Sequence, residues 1–310
     1  MTMTKRPLSV VLVLLLGAVS LRGQTPATQP NQAADLDLQV LLDRVRYSPG
    51  EIDGTAGSNT RKAAAAFAKS RGLSGSVDVP EFREALGLGT TPATVKYVIT
   101  AEDVAGPFAD AIPEDMMAKA ALPRLSFTSI AEALGERFHA APALLQRLNP
   151  GVQLSQGVEI LVPNIAEPLV APGSAAEVVV SKAASTLSVL DAGGKVIFFA
   201  PVTSGSEHDP LPIGDWKVTG ISRDPVFNYN PSLFWDAEAS HAKSKIPAGP
   251  NNPVGVVRID ITKEHYGIHG SPEPGKIGHT ESHGCVRLTN WDATTVAALV
   301  KAGTPVRFRP

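Results

Sequence analysis

Cysteine is nearly absent from this sequence: Cys285 is the only one among 310 residues. That excludes an intramolecular disulfide framework and leaves an intermolecular bond or a reactive thiol. Aromatic residues make up only 5%, which favours several small modules over one large core. Charge of neither sign is in excess, with a net of −2, so nucleic acid and anionic membranes are not favoured as partners. Long hydrophobic runs are missing too. Leu8 to Val19 spans 12 residues, against about 20 for a transmembrane helix. Glycine (27) and proline (26), by contrast, are plentiful, and both are turn residues. With 43% hydrophobic and 19% charged residues, the chain has an ordinary globular composition and length for two or three domains.

The N-terminal run has the layout of an export signal. Lys5 and Arg6 form a basic n-region, Leu8–Val19 an h-region, and Ala18, Ser20 or Gly23 offer small residues for cleavage. Residues 1–23 are therefore read as a signal peptide. The mature chain is expected in the periplasm or cell wall, with no membrane span after cleavage; an uncleaved anchor is the alternative. Residues 24–34 read as a polar linker.

Residues 35–89 read as a three-helix module. Leu38, Leu41, Leu42 and Val45 recur at helical spacing. Ser58 or Asn59 caps a helix over Thr60–Arg71 that Gly72 stops, and Pro80 opens a third. With Ile52-Asp53-Gly54, Gly57 and Asn59-Thr60 in place, this stretch resembles the peptidoglycan-binding type 1 domain. Residues 96–165 read as strand, helix, helix, strand: Lys96–Thr100, Ser129–His139, a helix from Pro142, and Val158–Pro163. That order resembles a LysM domain with an insertion around Ala105–Ala121. The two resemblances imply glycan contacts, the alternative being structural spacers. Residues 166–176 are a Pro/Ala/Gly linker.

Residues 177–310 contain short β-branched runs separated by turns, the pattern of a mainly antiparallel β domain. Only Asn290–Ala302 reads as a helix. The long stretch Ser222–Pro253 carries Tyr229, Phe234 and Trp235 and is expected to be a lid or cleft wall. The whole is thus a multidomain α+β chain: a three-helix module, a small βααβ module, and a mainly β domain with a C-terminal helix.

The chemistry concentrates between His265 and Asp292. Four of the seven histidines, His265, His269, His279 and His283, lie here around Cys285; His139, His208 and His241 read as isolated. A thiolate is the nucleophile and a neighbouring imidazole activates it. Cys285 would attack an amide carbonyl and expel an amine, giving a thioester. His269 would take the thiol proton and return it to the leaving group. The N–H groups of Gly284 and Cys285 can meet the developing oxyanion. His283 would share the face of Cys285 on a strand, and Arg287 would hold a substrate carboxylate or brace the loop.

Three motifs stand in order: Thr203-Ser-Gly205 with Pro210-Leu-Pro-Ile-Gly214, Tyr266-Gly-Ile-His-Gly270, and Ser282-His-Gly-Cys-Val-Arg287. In this arrangement the domain closely resembles the L,D-transpeptidases, the YkuD family, and a YkuD-type β-sandwich is implied. The resemblance implies that the Gly270 carbonyl orients His269, and that Ser282, His283 and Gly284 complete the orienting and oxyanion set. Arg287, Tyr266 and Trp235 would contact substrate. It also implies a peptidoglycan tetrapeptide donor, release of its terminal D-alanine, and acyl transfer to an amine, making a 3→3 cross-link or attaching a protein. No cofactor or metal is implied. The rivals are an L,D-carboxypeptidase or endopeptidase using the same pair, and a non-catalytic wall-binding protein. A metal site at His269, His279, His283 and Cys285 has a spacing that matches no usual zinc pattern.

Overall fold

A computed structural model describes Met1 and residues 30–74, 76–165 and 171–310. The expected signal peptide, apart from Met1, lies outside the described residues, as do positions 24–29 of the first linker and 166–170 of the second. Among the described residues, no helix is long and apolar enough to cross a membrane.

The first module consists of α1 (Pro30–Arg44), α2 (Ser58–Arg71) and α3 (Pro80–Leu86). Helix α1 begins inside the stretch expected as linker. Proline fits there because the first-turn N–H has no partner to lose. Gly72 and Gly87 end α2 and α3 with φ of 67° and 77°, the left-handed cap that glycine adopts without strain. Phe67 and Phe82 are fully buried and meet edge to face at 5.4 Å.

The second module runs β1 (Thr94–Val98), α4 (Ala101–Val104), α5 (Met116–Ala120), α6 (Ile130–Arg137), α7 (Pro142–Leu148) and β2 (Glu159–Pro163). Strands β1 and β2 pair antiparallel, and Leu134, Leu145 and Ile160 belong to one core. The expected insertion holds the short helix α5, which packs on the third domain.

That domain contains β3 (Glu177–Ser181), β4 (Thr186–Leu190), β5 (Val196–Pro201), β6 (Thr203–Ser204), β7 (Gly214–Arg223), β8 (Phe227–Tyr229), β9 (Ser244–Ile246), β10 (Val257–Ile261), β11 (Gly267–His269), β12 (Val286–Arg287), α8 (Asn290–Leu299) and β13 (Pro305–Arg309). Nine strands join in the order β5-β4-β3-β13-β7-β10-β11-β12-β6. Strand β7 pairs with β13 through Gly214–Lys217 and with β10 through Val218–Arg223. One long strand therefore serves two half-sheets, as strands do at the corners of packed sheets. Val180, Leu187 and Phe308 from one half share a core with Ile259, Ile268 and Val286 from the other, and with Val296 of α8.

Three expectations change in detail. The sheet is mostly antiparallel, but β3–β13 and β11–β12 are parallel. Helix α8 stops at Leu299, because Val300 already has extended φ and ψ of −95° and 165°. Ser222–Pro253 is not a plain loop: it holds the end of β7, the β8–β9 pair and a 3-10 turn at Pro231–Leu233.

The small modules are docked, not strung out. Residues Arg46–Ser48 lie along the edge strand β5, with Phe199 N–H donating to Arg46 at 2.9 Å and Ser48 N–H to Phe199 at 2.8 Å. Tyr47 stacks on Phe199 at 6.2 Å. Ile52, fully buried, enters the core of the second module. Its N–H donates to the carbonyl of His139 at 2.8 Å, and its carbonyl accepts from Ala141 at 2.9 Å. Asn59 donates to the Ile277 carbonyl at 2.8 Å. Two of the residues that resembled a glycan-binding signature, Ile52 and Asn59, are thus engaged in docking.

Candidate active site

Strands β11 and β12 run parallel with Ile268 opposite Val286 and His269 opposite Arg287. Residues opposite one another share a face, as do residues two apart on one strand. Ile268 and Val286 point into the core, so His269 and Arg287 lie on the other face together, and Cys285 sits in the bend directly before β12. This one register sets the expected base on the strand beside the one that the expected nucleophile leads into.

His269 is buried, and its Nδ1–H donates to the Gly270 carbonyl at 2.7 Å. That bond leaves Nε2 as the basic nitrogen. Burial pushes the imidazole down to about 3, and the charges of Arg287 and Arg258 act in the same direction. It is therefore neutral near pH 7 and able to accept a proton. Gly270 is wedged from behind: a Cβ there would lie 2.2 Å from Asn290 Oδ1. Asn290 accepts from Val256 N–H at 3.1 Å and donates to the Pro250 carbonyl at 3.2 Å, which fixes the wedge.

Cys285 is a free, half-buried thiol. Its Sγ donates to the His265 carbonyl at 3.7 Å rather than to His269; catalytic hydrogen bonds commonly tighten only when substrate is bound. Gly284 has φ +91°, and a Cβ there would lie 2.4 Å from Tyr266 Cε1. Glycine is required on both counts. Tyr266, expected as a substrate contact, is partly buried against the core and forms the wall behind Gly284. Ser282 is buried and accepts from Gly205 N–H at 2.7 Å while donating to the Cys285 carbonyl at 2.7 Å. It ties the first motif to the third.

Arg287 is held down from its ordinary range by burial, against the opposing charges of Cys285, Glu273 and Asp236. Its Nε is buried without a partner, a donor free for an acceptor from substrate. His283 Nε2 donates to Asp236 at 2.9 Å. Phe234 meets the His283 ring edge to face at 5.1 Å, and Trp235 approaches it at 6.2 Å. Trp235 is 61% exposed and stacks on His208 at 4.4 Å, so His208 belongs to the cleft wall and is not isolated. Nor are the other two. His241 bonds Asp115 and Tyr229, and His139 lies 3.1 Å from Asp43. Tyr229, by contrast with Trp235, is buried.

The histidines around Cys285 diverge. His269 turns to Gly270, His283 to Asp236, and His279 lies 3.4 Å from Asn59. Among the described residues, the group with three potential metal-ligand atoms within 4.8 Å is Asp115, Glu238 and His241, away from Cys285. Sequence reasoning missed Asn290 and Asp236. Neither sits in a motif: Asn290 follows the third motif as the first residue of α8, and Asp236 reaches His283 from 47 residues away along the chain.

Residues 175–308 match the family model of the L,D-transpeptidase catalytic domain, YkuD. The match covers the β domain that holds the site. Two relatives agree with it. The Bacillus subtilis (strain 168) protein YkuD, named for the L,D-transpeptidases, is 28% identical over 171 residues, 54% of this chain and 87% of its own. The Escherichia coli K12 protein YbiS, named likewise, is 31% identical over 53% of this chain and 55% of its own. Among solved structures, L,D-transpeptidase 3 from Mycobacterium tuberculosis, in complex with a faropenem-derived adduct, matches 51% of this chain and 76% of its own at 19% identity and a TM-score of 0.37. Family model and relatives together support a YkuD-type L,D-transpeptidase catalytic domain here. The family model begins at residue 175, past both N-terminal modules.

Proposed function

We propose that the protein is an exported peptidoglycan L,D-transpeptidase working through a thioester on Cys285. The observation that carries this reading is the pairing of His269 on β11 with β12, the strand that Cys285 immediately precedes, with the His269 tautomer held by the Gly270 carbonyl. His269 takes the thiol proton through Nε2 as sulfur attacks the carbonyl of the stem peptide. Because the buried imidazolium is unfavourable, the proton cannot rest there; it passes on to the departing amine of D-alanine. An acceptor amine then attacks the thioester, loses its proton to His269, and regenerates the thiol. The N–H groups at Gly284 and Cys285 receive the oxyanion, and Arg287 binds a substrate carboxylate or carbonyl. The bond energy is kept in the thioester, so the mechanism calls for no cofactor.

The carboxypeptidase alternative differs only in delivering the thioester to water. A purely wall-binding role leaves the buried, oriented His269 without a use. The N-terminal modules brace the catalytic domain in this reading, since Ile52 and Asn59 are engaged in docking. The test is incubation of the mature protein with purified disaccharide tetrapeptide, followed by mass spectrometry, beside Cys285→Ala. Loss of D-alanine with a cross-linked dimer, absent from the variant, is the expected result. Tripeptide without dimer would favour the carboxypeptidase. Absence of both products, with no acylation of Cys285 by a carbapenem, would overturn the reading.

A further inference from the structure

We propose that the insertion of the second module together with the segment that follows it, residues 105–128, is a clamp on the cleft wall, and that Asp236 on that wall is a positioning residue for His283. The kinetic consequence rests on the reading of Cys285 as nucleophile; the structural part does not.

The clamp grips residues 224–251 in three ways. Apolar contact comes first: Leu125, Tyr229 and Ile246 are buried together, with Met116, Met117 and Phe234 packed against them. Backbone pairing is second. Leu125 N–H donates to the Ala248 carbonyl at 2.9 Å, and Asn251 N–H returns a bond to the Leu125 carbonyl at 3.0 Å. The approach is so close that a Cβ on Gly249 would lie 2.2 Å from the Leu125 oxygen. Polar side-chain contacts are third. Arg124 holds Asp224 bidentately at 2.8 and 2.9 Å, and Asp115 accepts from His241 Nε2 at 2.7 Å while His241 Nδ1 meets the Tyr229 hydroxyl at 2.9 Å.

From that hairpin the contact runs straight to the nucleophile loop. Tyr229 lies 5.4 Å from Phe234, and Phe234 lies 5.1 Å from His283. Two residues on, Asp236 accepts from His283 Nε2 at 2.9 Å. That bond places a proton on Nε2, and in the neutral ring Nδ1 is then the acceptor. The Nδ1 atom is buried and has no partner, an unusual and costly state for a polar atom unless a ligand fills it. Two residues from Cys285, it is set to take an N–H of the substrate peptide. Without Asp236 the imidazole is free to place its proton on either nitrogen, and the acceptor is lost.

The Asp115–Glu238–His241 group also offers three metal-ligand types. Its geometry is that of a hydrogen bond, however. Tetrahedral zinc holds its ligand atoms about 3.3 Å apart at bond lengths near 2.0 Å, and Asp115 Oδ2 sits 2.7 Å from Nε2.

The experiment compares the full chain with Asp236→Ala and with the double variant Asp115→Ala/Met117→Ser. The ring-nitrogen NMR signature of His283, amide hydrogen exchange across residues 227–246, and the rate of Cys285 acylation by a carbapenem are followed. Asp236→Ala should mix the His283 tautomers and slow acylation about tenfold to a hundredfold, with exchange unchanged at 177–190. The double variant should speed exchange across 227–246 and shift His283 in the same direction. An unchanged His283 signature in both variants overturns the positioning role whether or not the enzyme turns over. Unchanged exchange in the double variant overturns the clamp. A chelator reproducing the double variant's effect would replace the hydrogen bond by a metal.

Discussion

A buried histidine and a half-buried one in this chain show what burial alone does not decide. His269 has no carboxylate beside it; burial pushes it down to about 3 and a backbone carbonyl fixes its tautomer. His139, at the junction of the modules, is pulled down by burial as well, but the charges of Asp43, Asp292 and Glu136 outweigh that and leave it raised. It stacks flat on Trp291 at 5.0 Å. The first imidazole is a neutral base waiting for a proton, and the second is shifted towards its protonated form by carboxyls from all three modules. The choice of partner, not depth, separates chemistry from adhesion.

Exchanging the two should break the contrast most visibly. His269→Gln is expected to slow carbapenem acylation of Cys285 by about 10²–10⁴-fold, whereas His139→Gln should leave the rate nearly intact and lower the melting temperature instead. The pH signatures oppose as well. A depressed histidine keeps its contribution to stability above about 6.5 and loses it as pH falls towards 3; a raised one contributes below about 6.5 and loses that as pH rises through its folded value. Thermal unfolding of the two variants against wild type, from acid to alkaline pH, reads both signs.

Asp43→Asn should move His139 towards the condition of His269. Removing the charge is expected to cost about 1–3 kcal/mol, more at pH 6 than at pH 9, and to lower the His139 titration followed by NMR. A smaller effect sharpens the junction side of the comparison. Glu51 is pushed up to about 7 by burial and by the charge of Asp53. Raised carboxyls favour the fold while protonated and lose that as pH rises through 7. Glu51→Gln should therefore stabilise the chain at pH 8 by roughly 1 kcal/mol, after allowing for partial solvent screening, and make no difference near pH 5. Denaturant unfolding at the two pH values checks it.

The two regions also differ in how far they could be read from the sequence. Cys285, His269, Gly270 and Ser282 sit in short motifs, so local pattern and a strand register were enough to bring them together. The longer helices and main strands were legible for the same reason, from periodicity and turn residues, while the short α4 and α5 were not. The junction was not. Asp43 and His139 are 96 residues apart, and Ser48 and Asp292 are 244 apart, separations that no local pattern reports. Ile52 and Asn59 were legible as a motif, but their use in docking was not, because the same side chains serve a ligand or a neighbour equally well. The insertion at 105–121 looked like a departure from a compact module; only packing against Ile246 gives it a purpose.

The backbone of Arg46–Ser48 laid along β5 has a consequence for how this chain can be handled and how it can change. A sheet edge with open hydrogen-bonding groups recruits other chains, and here the first module supplies the missing partner. Expressing residues 177–310 alone would uncover that edge together with Phe199, so the isolated fragment should self-associate where the full chain does not. The modules cannot be traded or trimmed like beads on a thread. Whatever takes the first module's place must bring its own strand.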